Sequence, residues 1–71
     1  MEFKELLHPL TVREKEILKL IAHGYSNTQI GKLLGISHRT VDTHRTNIRN
    51  KIGTNSLAGM IRYALKANII T

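Results

Sequence analysis

The amino-acid sequence predicts an all-α domain of four helices. Residues typical of helix starts recur along the chain of 71 residues, and a glycine follows three of the four segments with helical apolar spacing. No segment shows the alternation of apolar and polar residues that a half-buried strand requires. This length accommodates one domain with one small apolar core.

The first two helices are predicted from a capping box at each start and a glycine at each end. Residues Thr11 to Glu14 and Ser26 to Gln29 both have the form Ser/Thr-x-x-Glu/Gln. The first helix is expected over about 12–23, with Gly24 as its stop, and the second ends at Gly35. The predicted apolar sides are Ile17, Leu20 and Ile21 in the first helix and Ile30, Leu33 and Leu34 in the second.

The third helix follows the second after a very short connection. Ser37 is its expected cap and Gly53 its end, with an apolar stripe of Val41, His44, Ile48 and Ile52. A connection of about three to four residues with a glycine is typical of a helix-turn-helix, and Ile36 within it is expected to fill the core where the two helices cross.

The fourth helix is expected to begin at Asn55 or Ser56. Its predicted core side consists of Leu57, Ile61, Ala64, Leu65 and Asn68. A second apolar strip consists of Met60, Tyr63 and Ala67. This strip is either a set of scattered surface apolar residues or the contact of a two-fold dimer.

Charge indicates a polyanionic partner. Lysine and arginine number 11 against 5 acidic residues, and residues 17–71 contain eight of these bases and a single acid, Asp42. The alternative is a solvated basic surface. The lack of cysteine excludes a disulfide framework, a cysteine zinc site and a thiol nucleophile. No segment is apolar enough to span a bilayer, and the first residues lack the pattern of a signal peptide.

The predicted outer side of the third helix carries hydrogen-bonding side chains with cations beside them. Opposite the apolar stripe lie Arg39, Asp42, Thr43, Thr46 and Asn50, and on the flanks lie Arg45, Asn47, Arg49 and Lys51. A DNA duplex offers base edges in its major groove and phosphates on both rims, which this arrangement matches. Helix starts such as Ser26, Asn27 and Thr28 also favour phosphate binding, although these residues serve as caps in either case.

These residues follow a recognisable pattern. It reads Leu10-Thr11-x-Arg13-Glu14-x-Glu16-Ile17-Leu18, Gly24-x-Ser26-Asn27-x-x-Ile30, Leu34-x-Ile36-Ser37-x-x-Thr40-Val41-x-x-His44 and Ile48-x-x-Lys51-Ile52-Gly53. The chain resembles the LuxR-type (NarL/FixJ, GerE-like) helix-turn-helix domain of bacterial transcription regulators. The resemblance implies a recognition function for the third helix, a helix-turn-helix unit of about 26–45 and dimerisation through the fourth helix.

The resemblance also implies which residues contact DNA. Base contacts fall on Asp42, Thr43 and Thr46, to which the outer side of the third helix adds Asn50. Backbone contacts fall on Thr11, Ser26, Asn27, Thr28, Arg39, Thr40, Arg45, Asn47, Arg49 and Lys51. Glu16 takes a structural role near a basic partner or helix terminus. Two positions depart from the family: Asp42 stands where lysine is common, and Gly31, where alanine is usual, allows a closer approach of helices two and three.

No catalytic, cofactor or metal site is predicted. His44 lies on the apolar stripe and is expected to be a packed residue, and the four histidines show no metal-ligand spacing. Glu14 and Glu16 lie two positions apart on different helix sides, so they form no catalytic pair. The chain is therefore not expected to be an enzyme.

The sequence thus favours sequence-specific binding of double-stranded DNA by a bacterial transcription regulator in the cytoplasm. The alternative is a non-specific nucleic-acid or protein-interaction module with a basic helical surface. Three aromatic residues do not make a platform for single-stranded bases. Residues 10–71 form the predicted domain, and residues 1–9 are an extension or a linker end whose Phe3, Leu6 and Leu7 have helical spacing. The resemblance implies a stand-alone regulator or the output domain of a larger one, with an upstream receiver or sensing domain and RNA polymerase as further partners.

Overall fold

The computed structural model describes residues 10–71, which form four helices and no strand. They are α1 (Val12–Ala22), α2 (Asn27–Leu34), α3 (His38–Ile52) and α4 (Leu57–Lys66). The predicted all-α class and the four helices are confirmed. The prediction of a packed N-terminal extension over 1–9 lies outside the described residues.

Each helix begins after a hydroxyl residue that caps it. The side chains of Thr11, Ser26, Ser37 and Ser56 each accept a hydrogen bond from the backbone N–H three residues on. The reciprocal bonds are also formed in α1 and α2, where Glu14 and Gln29 accept from the N–H of the cap residue. Both predicted capping boxes are confirmed, and Ser56 rather than Asn55 caps α4.

Two glycines end helices in the left-handed conformation. Gly35 and Gly53 have φ of +72° and +75°, and their N–H groups bond to carbonyl oxygens of the last turns of α2 and α3. A side chain at either position would strain the backbone. These stops set the lengths of α2 and α3 and keep the connection between them short.

The core lies where α1 packs against α3 and α4, and α2 packs against α3. The buried apolar side chains among the described residues are Leu10, Ile17, Leu18, Ile21, Ile30, Val41, Ile48, Met60 and Ala64. Ile36 packs against this cluster from the turn, as predicted. Leu18 was not predicted to be buried, and Leu33 is 59% exposed although it was expected on the buried side. The short helix α2 buries only the side that carries Ile30 and Gly31.

The predicted core side of α4 is confirmed for Ala64 and wrong for Leu57 and Leu65. Met60 and Ala64 are buried at 1% and 0%, whereas Leu57 and Leu65 are 53% and 49% exposed. The prediction that Met60 belongs to an exposed dimer contact is wrong, because its side chain fills the core. Tyr63 of the same strip is half-buried and packs against the core, and only Ala67 is exposed.

Gly31 is a point of close approach between α2 and the turn that follows it. A Cβ added there would lie 2.6 Å from the carbonyl oxygen of Ile36 and 3.4 Å from the backbone nitrogen of His38. The predicted close approach is confirmed, but it is between α2 and the turn leading into α3. This packing holds the connection against α2.

None of the helices within residues 10–71 combines the length and the apolar content that crossing a bilayer requires.

Candidate nucleic-acid interface

The exposed side of α3 presents polar side chains as predicted. Val41 and Ile48 are fully buried, and they direct the opposite side of the helix outward. The residues predicted to contact bases are all exposed: Asp42, Thr43, Thr46 and Asn50. We call these four residues the α3 crest.

Two threonines of the crest form hydrogen bonds along the helix. The Thr43 hydroxyl donates to the Arg39 carbonyl oxygen at 3.2 Å, and Arg49 Nη2 donates to Thr46 Oγ1 at 3.3 Å. The first bond uses the Thr43 hydroxyl hydrogen within the helix. Toward a ligand, Thr43 Oγ1 can therefore only accept a hydrogen bond. The second leaves the Thr46 hydroxyl hydrogen available as a donor.

Arg45 and Asn27, two predicted backbone contacts, are brought together although they lie on different helices. Arg45 Nη1 donates to Asn27 Oδ1 at 3.2 Å. The bond joins the first turn of α2 to the middle of α3, and both side chains are half-buried. A guanidinium has five N–H donors, so Arg45 retains donors for a phosphate while its position is fixed by Asn27.

The other predicted contacts at the helix starts are exposed. Ser26, Thr28 and Thr40 are each accessible, and Thr40 shares a 2.9 Å hydrogen bond with the Ser37 hydroxyl. The starts of α2 and α3 therefore hold polar groups next to N–H groups that have no partner within their helix, the usual setting for phosphate binding. Asn47 and Arg49 lie beside the crest, exposed and half-buried respectively.

Lys51 and the backbone N–H of Thr11 meet at a buried carboxylate. Oε1 of Glu14 is 2.8 Å from Lys51 Nζ and 2.8 Å from the Thr11 backbone nitrogen. Glu14 is only 5% exposed. Burial alone raises the pKa of Glu14, but hydrogen bonds from Lys51 and Thr11 and the Lys51 charge together lower the pKa below its usual value. The Lys51 ammonium is thus engaged within the protein.

The structural carboxylate of α1 is Glu14, whereas the resemblance gave that role to Glu16. Glu16 does have a basic partner, Arg13 at 3.4 Å, but both side chains are about half exposed. An exposed pair of this kind contributes little to stability. The capping-box pattern placed Glu14 at the start of α1, but only the folded chain brings Lys51 to it.

The part of the chain that the structure describes is strongly basic. Within residues 10–71, ten lysines and arginines stand against three acids, and two of those acids, Glu14 and Glu16, are paired with bases. In the same part of the chain no three His, Asp or Glu side chains are grouped as a metal site requires. The arrangement is therefore a positively charged surface with a row of hydrogen-bonding groups along α3, as is typical of proteins that bind a DNA groove.

Comparisons with known proteins agree with this geometry. Residues 8–64 match the GerE family, described as bacterial regulatory proteins of the luxR family. The transcriptional regulatory protein MctR of Rhizobium johnstonii is 49% identical over 63 residues, which are 89% of this chain and 29% of that protein. The oxygen regulatory protein NreC of Staphylococcus aureus is 44% identical over 61 residues, 86% of this chain and 28% of NreC.

A solved structure also resembles the fold. The crystal structure of the Vibrio cholera VqmA–ligand–DNA complex superposes with a TM-score of 0.74 at 35% identity. The match covers 84% of this chain and 26% of that one. The chain thus spans less than a third of each of these relatives.

Proposed function

The chain belongs to the LuxR family of bacterial regulatory proteins, and we propose that it reads double-stranded DNA in a sequence-specific manner with the α3 crest. The observation that carries this proposal is the form of α3 itself. One side is buried in the core, the opposite side is a row of exposed hydrogen-bonding groups, and arginines flank that row. An α-helix fits a major groove about 12 Å wide, where base edges present distinct donors and acceptors.

We assign base reading to the crest and positioning to its surroundings. Asp42, Thr43, Thr46 and Asn50 face the base edges. The phosphate contacts are Thr11, Ser26, Asn27, Thr28, Arg39, Thr40, Arg45, Asn47 and Arg49. Lys51 is left out of this set because its ammonium is held by Glu14. Arginines and helix starts fix the register of a protein on a duplex, whereas the crest supplies the discrimination between bases.

Two copies of the chain are proposed to bind adjacent half-sites. Helix α4 exposes Leu57 and Leu65, which lie two turns apart on the same helix side. A surface this small supports only weak association, so DNA is needed to hold the pair together. Two half-sites about one helical turn apart then form an inverted repeat.

The domain is proposed to be the output part of a longer regulator. It covers 29% of MctR and 28% of NreC, which leaves most of such proteins for a receiver or a ligand-sensing domain. On this proposal residues 10–71, with a helix-turn-helix unit of 26–45, bind a promoter in the cytoplasm and act on RNA polymerase. Transcription control rather than catalysis is the activity proposed.

Selection from a random pool of duplexes tests the proposal. Bound duplexes are sequenced, and the affinity for the selected sequence and for random DNA is measured from 50 to 200 mM salt. We expect a shared short motif, preferred over random duplex by roughly 10³-fold or more. Equal binding of all duplexes with the same salt dependence would instead identify a non-specific basic module.

A further inference from the structure

We infer that Asp42 selects a base bearing an exposed amino group, cytosine above all, and weakens binding to every other sequence. This inference rests on the proposed function, since it assigns a chemical preference to one position of the same interface. It also accounts for an acidic residue within a surface that is otherwise basic.

The first observation is the placement of Asp42. It is the only acidic residue between positions 17 and 71, and it is exposed at the N-terminal end of the α3 crest. Helix α3 carries Arg39 three residues before it and Arg45 three residues after it. Residues at this spacing are neighbours on a helix surface, so an ion pair with either arginine is sterically accessible.

The second observation is that the carboxylate has no partner within residues 10–71. Neither ion pair of this part of the chain includes Asp42, and it takes no part in a hydrogen bond there. Arg45 instead directs a guanidinium nitrogen to Asn27 on α2. The Asn27–Arg45 bond therefore holds a neutralising cation away from the carboxylate, which stays available for a ligand.

The chemistry of a free carboxylate restricts what that ligand is. An ionised Asp accepts hydrogen bonds and donates none, and phosphates repel it. In the major groove only the amino groups of cytosine and adenine are donors. Adenine places its N7 acceptor beside its amino group, and guanine and thymine present acceptors, so each of these opposes an anion. Cytosine offers the amino group with no acceptor on the same base in the major groove, so it is the best match.

The same reasoning explains weaker binding elsewhere. At a position without an amino group the carboxylate loses water and gains no hydrogen bond in return. Binding to random DNA is then reduced while binding to the matching site is retained. Asp42 therefore increases the ratio of specific to random affinity in two ways. It adds a hydrogen bond at the matching site, and it weakens binding at other sequences.

The test compares the whole 71-residue chain with Asp42→Asn, Asp42→Ala and Glu16→Gln. Glu16→Gln removes the same charge from an exposed carboxylate on α1, outside the crest, and serves as the matched control. Circular dichroism first establishes that all four proteins are equally helical. Each protein then goes through the duplex selection, and the selected site is also measured with each of the other three base pairs at the position in question.

The parent chain and Glu16→Gln are both expected to select cytosine at one position of the motif. Replacing that base pair is expected to reduce their affinity by about ten-fold or more. Asp42→Asn is expected to move the preference to adenine, since Asn pairs with adenine N6 and N7. Asp42→Ala is expected to lose the preference there and to bind random duplex several-fold more tightly than Glu16→Gln does. A preference of the parent chain for adenine at that position would identify the adenine amino group as the ligand.

Two results would overturn the inference. One is a motif unchanged in both Asp42 variants, and the other is a gain in random binding that Glu16→Gln reproduces in full. Both leave the proposed function standing, because a motif has still been selected. The lack of any motif in all four proteins counts against the proposed function itself.

Discussion

The ammonium of Lys51 lies 2.8 Å from Oε1 of Glu14 and so joins the last turn of α3 to the first turn of α1. The same oxygen accepts the N–H of Thr11, the cap residue of α1. One carboxylate thus completes the start of α1 and holds the last turn of α3 against it. The contact therefore connects the helix that carries the α3 crest to α1.

Glu14 makes the stability of the fold depend on pH. Its pKa is lowered in the folded state relative to 4.5, so the ionised carboxylate stabilises the fold above about pH 4.5. This stability is lost as the pH falls through the lowered folded-state pKa. We expect urea denaturation between pH 7 and pH 3 to show a steeper loss for the parent chain than for Glu14→Gln. Parallel curves for the two proteins would count against the assignment.

Lys51 and Arg39 are expected to differ in their effect on DNA binding. Arg39 is exposed beside the crest, whereas Lys51 is held by Glu14. Arg39→Gln should reduce the slope of log affinity against log salt by about 0.9, the amount for one phosphate contact. Lys51→Met should leave the slope unchanged but lower the free energy of unfolding by about 1–3 kcal/mol, since Glu14 loses its partner. Equal slopes in both variants would place Lys51 at a phosphate.

Truncation of Met60 and of Leu65 should distinguish the buried side of α4 from its exposed side. Met60 is 1% exposed, so Met60→Ala should cost about 2–5 kcal/mol of unfolding free energy. Leu65 is 49% exposed, and Leu65→Ala should change stability by about 0.5 kcal/mol or less. Urea denaturation measures both effects.

Leu65 should affect assembly instead of stability. Binding to a duplex with two half-sites is expected to lose cooperativity in Leu65→Ala, while binding to a single half-site stays the same. Gel-shift titration on the two duplexes measures this difference. If cooperativity persists, the two copies meet through another surface.

Gly31 should resist larger side chains. A Cβ would approach the Ile36 carbonyl oxygen to 2.6 Å, a distance that requires the turn to move. The helix propensity of alanine, about 1 kcal/mol better than that of glycine, offsets part of this cost. We expect the parent chain to have the highest melting temperature, Gly31→Ala a lower one and Gly31→Val the lowest. An alanine variant as stable as the parent would show that the turn shifts without cost.

The sequence predicted the helix boundaries because the signals for them are local. A hydroxyl at position 26 and a glutamine at 29 bond to each other's backbone within one turn, so the pattern specifies the start of α2. The crest was equally accessible to prediction, since Val41 and Ile48 lie seven residues apart and define the side opposite it.

Other features were missed because they arise only in the folded chain. Helix α4 has apolar residues on most of its surface, so its spacing alone did not distinguish Met60 from Leu65. The pairing of Glu14 with Lys51 spans 37 positions, and no local pattern encodes it. The Asn27–Arg45 bond likewise depends on how α2 crosses α3.

The small core has a practical consequence for measuring occupancy. Only nine apolar side chains are buried within residues 10–71, so the folded state of such a domain has a modest reserve of free energy. A duplex at one hundred times its dissociation constant adds about 2.7 kcal/mol, and each kcal/mol raises the melting temperature of a domain this size by about 4–8 °C. The unfolding transition of the protein itself is therefore a label-free gauge of operator affinity.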